Sequence, residues 1–225
     1  MFSLLTIAIT TTDAQAIGEN PFLQEWETAL MDRFYSQISE AGMAYFSSYG
    51  RSIDFCYRQG VECTFRSVIK ITITDKHYGN FDIHVLPPTV THVSIRYCEQ
   101  HYEIHTRALP RMLRHCRLNN NQLFGCVDLQ VLPENIVILD LSHNQLNGPI
   151  DLTRLPQSMA GLWLQENAIR QSVVLYDRIP PALTSIILVL PKNPKNRIGK
   201  LRALYPGNPV TACQIFQTFP SKNIR

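Results

Sequence analysis

Charge is scarce in this chain. Asp, Glu, Lys and Arg make up 17% of 225 residues, and the net charge is only +3. So small a surplus excludes nucleic-acid binding through overall charge and leaves room only for a local basic cluster. Long hydrophobic runs are missing as well. No apolar stretch of about 18 residues follows the N-terminus, so no integral membrane segment is expected. There is no Asn-x-Ser/Thr glycosylation acceptor, no Gly-rich phosphate loop and no Gly-x-Ser-x-Gly nucleophile motif. A hydrophobic share of 45% with so little charge points to a packed core, not to disorder.

At the front, residues 2–12 are apolar and Ala14-Gln15-Ala16 offers a small-x-small cleavage site. Residues 1–16 therefore read as a signal peptide, although no Lys or Arg precedes the apolar stretch. A buried first strand or a truncated start are the alternatives. At the other end, Lys222 and Arg225 follow no hydrophobic tail, so a lipid-anchor signal is not expected there. The 6 cysteines are too scattered for a disulfide-rich scaffold. Cys56 and Cys63 alone are close in sequence. Cys98, Cys116, Cys126 and Cys213 are spread out, and Cys116 is expected to be a buried free thiol.

A repeat organises the rest. Prolines 87, 110, 133, 156 and 180 recur at spacings of 23, 23, 23 and 24, each after Leu or Ile. Segments such as LPENIVILDLSHNQLNGPIDLTR share the frame L-x-x-L-x-L-x-x-N-x-L-x-G-x-I-x-L, the leucine-rich repeat pattern. One such unit cannot bury its apolar side alone, so stacked units must share a core. Leu139 and Leu141 flank Asp140 as a short strand requires, with alternate side chains inward. Asn121, Asn144 and Asn167 stand where the chain turns inward, and their amides can satisfy buried backbone groups. Gly125 and Gly148 suit turns of positive φ. Six units fit, beginning near Val68, Val90, Leu113, Ile136, Met159 and Leu183. Lys76, Cys98 and Pro191 occupy the Asn position in the degenerate first, second and sixth units.

The expected fold class is α/β, a curved leucine-rich repeat solenoid with parallel strands on its concave face and a helical N-terminal cap. Its parts are a signal peptide (1–16), a cap with the Cys pair (17–67), about six repeats (68–190) and a C-terminal cap or tail (191–225). Asn20-Pro21 opens a helix, and Phe22, Trp26, Leu30, Phe34 and Ile38 form one apolar stripe expected to plug the first repeat. The apolar run Ile186–Leu190 must be covered by the tail, or else it offers an edge for association.

Cys56-Tyr57-Arg58-Gln59-Gly60-Val61-Glu62-Cys63, just before the first repeat, resembles the N-terminal cap of plant-type extracellular leucine-rich repeat proteins. Those caps read Cys-x-Trp-x-Gly-Val-x-Cys, and here Arg58 stands at the tryptophan position. The resemblance implies a Cys56–Cys63 disulfide, which persists outside the cytosol. Residues 144–156 look like the plant-type L-x-G-x-I unit, and their Ile-Asp-Leu-Thr-x-Leu-Pro ending is similar to surface and secreted repeat proteins of trypanosomatid protozoa. The resemblance covers roughly residues 20–190. It implies recognition of a protein or peptide at or outside the cell surface, with no chemistry and no cofactor.

On this scaffold the outward strand positions carry function. The third positions are Lys70, His92, His115, Ile138, Gly161 and Ser185, and the fifth are Thr72, Ser94, Arg117, Asp140, Trp163 and Ile187. Arg96, Tyr97, Asn119, Asn120, Ser142, His143, Gln165 and Glu166 follow at the strand ends. The expected ligand contacts are His92, Arg96, Tyr97, His115, Arg117, Asp140, His143, Trp163, Gln165 and Glu166. Trp163 is either a partner's anchor or a ring lying flat on its neighbours. Cys98, His101 and His105 have a spacing reminiscent of a metal site, but the repeat register points them apart, so no metal is expected. An intracellular assembly subunit docking through its apolar C-terminal edge is the competing reading. A polyanion ligand on the basic patch is a minor one.

Overall fold

The computed structural model describes residues 21–47, 54–192, 194–205 and 212–225. The expected signal peptide and the Asn20 helix cap lie outside these residues.

The front of the molecule is built from helix α1 (Pro21–Phe34), strand β1 (Gln37–Ile38), helix α2 (Glu40–Phe46) and the hairpin β2 (Val61–Thr64) and β3 (Ser67–Thr74). The buried face of α1 differs from the expected stripe. Phe22 and Trp26 are exposed, while Glu27, Met31 and Phe34 face inward, followed by Tyr35 and Ile38. The reason is polar. Val68, opening the first repeat, donates its N–H to Glu27 Oε1 at 2.8 Å, and the Thr89 hydroxyl donates to the same oxygen at 3.1 Å. A helix that must present Glu27 to the first turn cannot also bury Trp26 beside it. Phe34, Tyr35, Phe46 and Phe81 then close the cap as an aromatic cluster with ring centroids 4.8 to 5.8 Å apart. Cys56 and Cys63 are disulfide-bonded, tying the Phe55–Tyr57 turn to β2. Strand β4 (Gly79–Asn80) pairs antiparallel with β1.

Six parallel strands follow from the repeat: β3, then β5 (His92–Arg96), β6 (His115–Arg117), β7 (Ile138–Asp140), β8 (Gly161–Trp163) and, after β9 (Arg170–Tyr176), β10 (Ser185–Ile187). Antiparallel β2 completes the seven-stranded sheet at its front edge. The proline period has a local cause. In each of five turns the Pro carbonyl accepts an N–H from three residues on, at Val90, Leu113, Ile136, Met159 and Leu183, and this turn returns the chain to the sheet. Five residues before Pro87, Pro133 and Pro156, the Asp82, Asp128 and Asp151 carboxylates each accept the N–H two residues on, fixing the turns there.

The core is one continuous stack of inward Leu, Ile, Val and Phe. Inside it runs a polar ladder. Asn144 Nδ2 donates to Leu118 O at 3.0 Å and Leu141 O at 3.1 Å, and its Oδ1 accepts the Leu123 N–H at 3.0 Å. Asn121 and Asn167 repeat this pattern. Cys98 imitates it with a weaker donor, its thiol lying 3.0 Å from Arg96 O. In the sixth unit the rung is not Pro191, which is exposed, but Asn196. Asn196 Nδ2 donates to Leu164 O and Leu188 O, both at 2.7 Å, and Oδ1 accepts the Ile169 N–H at 3.0 Å. The residues between Pro191 and Asn196 lengthen the unit without breaking the ladder.

The tail keeps more order than the loss of sequence period implies. Strand β11 (Arg197–Ala203) pairs in parallel with β9, helix α3 (Ala212–Ile215) follows, and Phe216 forms a bridge to Ile186 at the outer edge of β10. Phe216 and Phe219 are buried, and Thr218 Oγ1 donates to Val189 O. The apolar run Ile186–Leu190 is therefore covered by the chain's own C-terminal segment. Cys98 and Cys116 are buried free thiols, and Cys126 is an exposed one. The side chain of Cys213 lies outside the described residues. No helix among the described residues is long and apolar enough to cross a membrane.

Candidate functional site on the concave sheet

Strand register sets the site. Lys70, His92, His115, Ile138, Gly161 and Ser185 are successive backbone partners across the sheet, and so are Thr72, Ser94, Arg117, Asp140, Trp163 and Ile187. Two columns thus run across the sheet, outward from β3 to β7, whereas at the rear Gly161 offers no side chain and Ser185, expected to face outward, is buried. Inward neighbours such as Val93, Cys116, Leu139 and Leu162 are buried, as the period of two requires.

The front half is basic. Lys70, Thr72, His92, Ser94, Arg96, His115 and Arg117 line a shallow depression of about 260 Å³. His92 and His115 stack face to face with centroids 4.4 Å apart and planes 13° apart. Thr91 Oγ1 lies 2.8 Å from His92 Nδ1 and fixes that ring. Burial, then Lys70, Arg114 and Arg117, lowers the His92 pKa against a small opposing effect of Glu62. Burial, then His92, Arg117 and Arg114, lowers that of His115. Both rings are neutral at pH 7. Lys70 pairs with Glu62 of β2 at 2.8 Å, a partner contributed by the cap hairpin and hidden from any reading of the repeats alone.

The rear half is mostly apolar, with Ile138, Trp163 and Ile187 half-buried around the bare Gly161. The Trp163 indole reaches back over Gly161, where a Cβ would collide with its six-membered ring. Of its two sequence readings, the geometry matches the ring resting on the sheet. The residue is only partly buried. Asp140 is held by Ser142, whose N–H and hydroxyl reach Oδ1 at 3.1 and 2.6 Å. Ser142 is thereby buried rather than outward, contrary to its expected place among the exposed strand-end positions.

Tyr97, Asn120, His143 and Glu166 form a third column with a different character. All have positive φ, from 54° to 59°, and stand where each strand exits into the turn before the inward Asn or Cys. The side chains of Tyr97 and His143 are exposed, whereas Glu166 Oε1 is buried without a hydrogen-bond partner. Gln165 Oε1, Asn119 Oδ1, Arg96 Nε and His115 Nδ1 are buried and unpartnered in the same way. The ten expected contacts thus divide among the basic depression, the Asp140–Trp163 half and the strand-exit column. They do not converge on one point.

Other polar groups lie elsewhere. His101 is exposed beside the Phe124 ring, His105 is near His84, and the Cys98 thiol faces backbone carbonyls inside. No group of three His, Cys, Asp or Glu among the described residues is placed to hold a metal ion.

No family model matches the chain, and none of the curated proteins matches it in sequence. Solved structures do match. The chain is similar to pollen receptor kinase 3, with a TM-score of 0.52 and 19% identity over 65% of this chain and 71% of that one. It is similar to the leucine-rich repeat ectodomain of the receptor kinase SOBIR1 from Arabidopsis thaliana, with a TM-score of 0.51 and 15% identity over 67% and 84%. A third match lies in the BIR3–SERK2 complex from Arabidopsis thaliana, with a TM-score of 0.50 and 16% identity over 79% and 95%. At such identities the likeness establishes the fold: a leucine-rich repeat solenoid of about six turns.

Proposed function

We propose that this chain is a non-catalytic recognition module that binds a protein or peptide across its concave strands, outside the cell or at its surface. The observation that carries the reading is the pair of outward columns, which set four ring or cationic side chains, Lys70, His92, His115 and Arg117, on the same face as the Trp163 indole. Aromatic and arginine side chains on a rigid sheet lose little freedom on binding and are enriched among interface hot spots. The similar structures include a receptor kinase, the leucine-rich repeat ectodomain of another, and a chain from a complex of two proteins. The Cys56–Cys63 bond supports an oxidising compartment. So does the resemblance of the Ile150–Pro156 ending to trypanosomatid surface proteins. The parts of the chain would then be a cleaved leader, a disulfide-bonded cap, the repeat array and a closing cap, as the sequence reading divides them.

The competing reading, an intracellular subunit docking through its C-terminal apolar edge, loses its surface. Phe216 and Phe219 already occupy that edge. One experiment tests location. Peptide mass mapping of protein from its native cells, with and without reduction, should find a start at Ile17 and a linked Cys56–Cys63 pair. Met1 retained with all thiols free would reject the extracellular reading. For the face itself, partner binding should weaken in Trp163→Ala and Arg117→Ala, and binding unchanged in both would reject it.

A further inference from the structure

Strands β5 and β6 each carry an arginine that borders the concave depression, Arg96 and Arg117, together with Lys70, His92 and His115. Arg96 Nε is a buried donor with no acceptor, and His115 Nδ1 is buried with no hydrogen-bond partner. Neither arginine side chain has an ion pair among the described residues. The two nearby carboxylates are engaged elsewhere: Glu62 holds Lys70 at 2.8 Å, and Asp140, the strand neighbour of Arg117, accepts both bonds from Ser142. Donors withdrawn from water with nothing in return are unfavourable, and a fold retains them most readily where a ligand supplies the acceptor.

We propose that this depression anchors the side-chain carboxylates of a short acidic stretch in a peptide partner, whose adjoining apolar residues run towards Ile138 and Trp163. The inference rests on the reading of the concave face as the binding surface and specifies what that surface takes. Arginine suits the task because its planar fork matches a carboxylate with two parallel hydrogen bonds. The stacked imidazoles add ring N–H groups at the floor of the same depression. Size and neighbours favour a peptide over an extended polyanion. The cationic group spans β3 to β6, a matter of about 10 Å at strand spacing, and Glu62 and Asp140 close it at either side. A polyanion draws its affinity from many successive contacts along a continuous basic track, which this face does not offer. Beyond Asp140 the surface turns apolar, as an acidic-then-apolar segment requires.

The test is a selection from a random peptide display library against the full, oxidised chain and against Arg117→Glu, with Arg117→Gln as a milder companion and circular dichroism to verify folding. Wild type should enrich peptides in which Asp or Glu adjoins apolar residues. Synthetic copies of those peptides should lose about tenfold or more in affinity for Arg117→Glu, less for Arg117→Gln, and some for Trp163→Ala. Enriched peptides that are neutral or basic, or that bind all Arg117 variants alike, would overturn the acidic-ligand inference and leave the concave-face reading standing if Trp163→Ala still weakens them. Enrichment of acidic residues with no apolar neighbours and no response to Trp163→Ala would indicate polyanion binding and overturn it too. No enrichment at all would overturn both.

Discussion

Trp163 lies across Gly161, two residues back on its own strand, in the space that a side chain there would fill. The glycine is not needed for its backbone angles. It is needed because the indole occupies the space that a Cβ there would take. Gly161→Ala should therefore lift the ring, cost about 1–3 kcal/mol through overpacking, and shift Trp163 fluorescence to the red. A Trp26→Phe background removes the other tryptophan's signal. An unchanged emission maximum would show that the indole does not depend on this slot.

The asparagine ladder gives a sharper test, because one rung lies outside the repeat frame. Asn196→Ala should cost about 3 kcal/mol, as Asn144→Ala should, since each strands a buried N–H and two carbonyls. Pro191→Ala, at the position the sequence frame assigns to the rung, should cost less than about 0.5 kcal/mol. Urea titrations of the three variants decide the matter. A Pro191 variant as unstable as Asn196→Ala would contradict the ladder.

Glu27 links cap to array. Removing its carboxylate in Glu27→Ala leaves the Val68 N–H without its acceptor, while the Thr89 hydroxyl keeps Val68 O at 2.9 Å, and should cost about 2 kcal/mol. Glu27→Gln keeps an acceptor oxygen and should recover most of that loss. Hydrogen exchange at Val68 reports the effect directly, and protection that survives Glu27→Ala would count against the link.

Acid should destabilise the protein through the stacked histidines. His92 and His115 face Lys70 and Glu62 on the cap side and Arg114 and Arg117 on the other, with burial the largest cause of both lowered pKa values. In the unfolded chain histidine titrates near about pH 6.5, so that state takes up protons first. Stability is then full above this value and falls as pH drops through it towards the lowered native values. Thermal melts at about pH 7.5 and about pH 5 should show a smaller acid loss in His92→Gln/His115→Gln than in wild type. Equal losses would exonerate the pair.

The repeats were legible because their spacing is a physical necessity. Pro110, Pro133 and Pro156 mark the turn before each strand, and Leu139 and Leu141 mark its inward face. From that frame the cross-strand partners of His92 through Ser185 follow in register. The cap helix misled for an equally physical reason. Phe22 and Trp26 fit an apolar stripe, but the first repeat needs an acceptor for Val68, and Glu27 turns the helix about its axis. Asn196 was illegible because inserted residues displaced it from the frame. On the site, spacing located the columns yet said nothing of ring orientation. The placement of the Trp163 ring over the strand depends on the missing Gly161 side chain, and the burial of Ser142 on Asp140 beside it.

Both ends of the array are closed, the front by Glu27 and the disulfide-tied hairpin, the rear by Phe216 and Phe219. Among the described residues no terminal turn is left bare for copies of the chain to stack on head to tail. The interior is the reverse. The units beginning at Leu113 and Ile136 have the same length, the same rung and the same turn, so each meets its neighbours through equivalent surfaces. Nearest-neighbour stacking makes such units interchangeable. Gene-level duplication of one would broaden the binding face by a single strand spacing, about 4.8 Å, with both lids untouched. Growth of this protein's reach is thus confined to its middle.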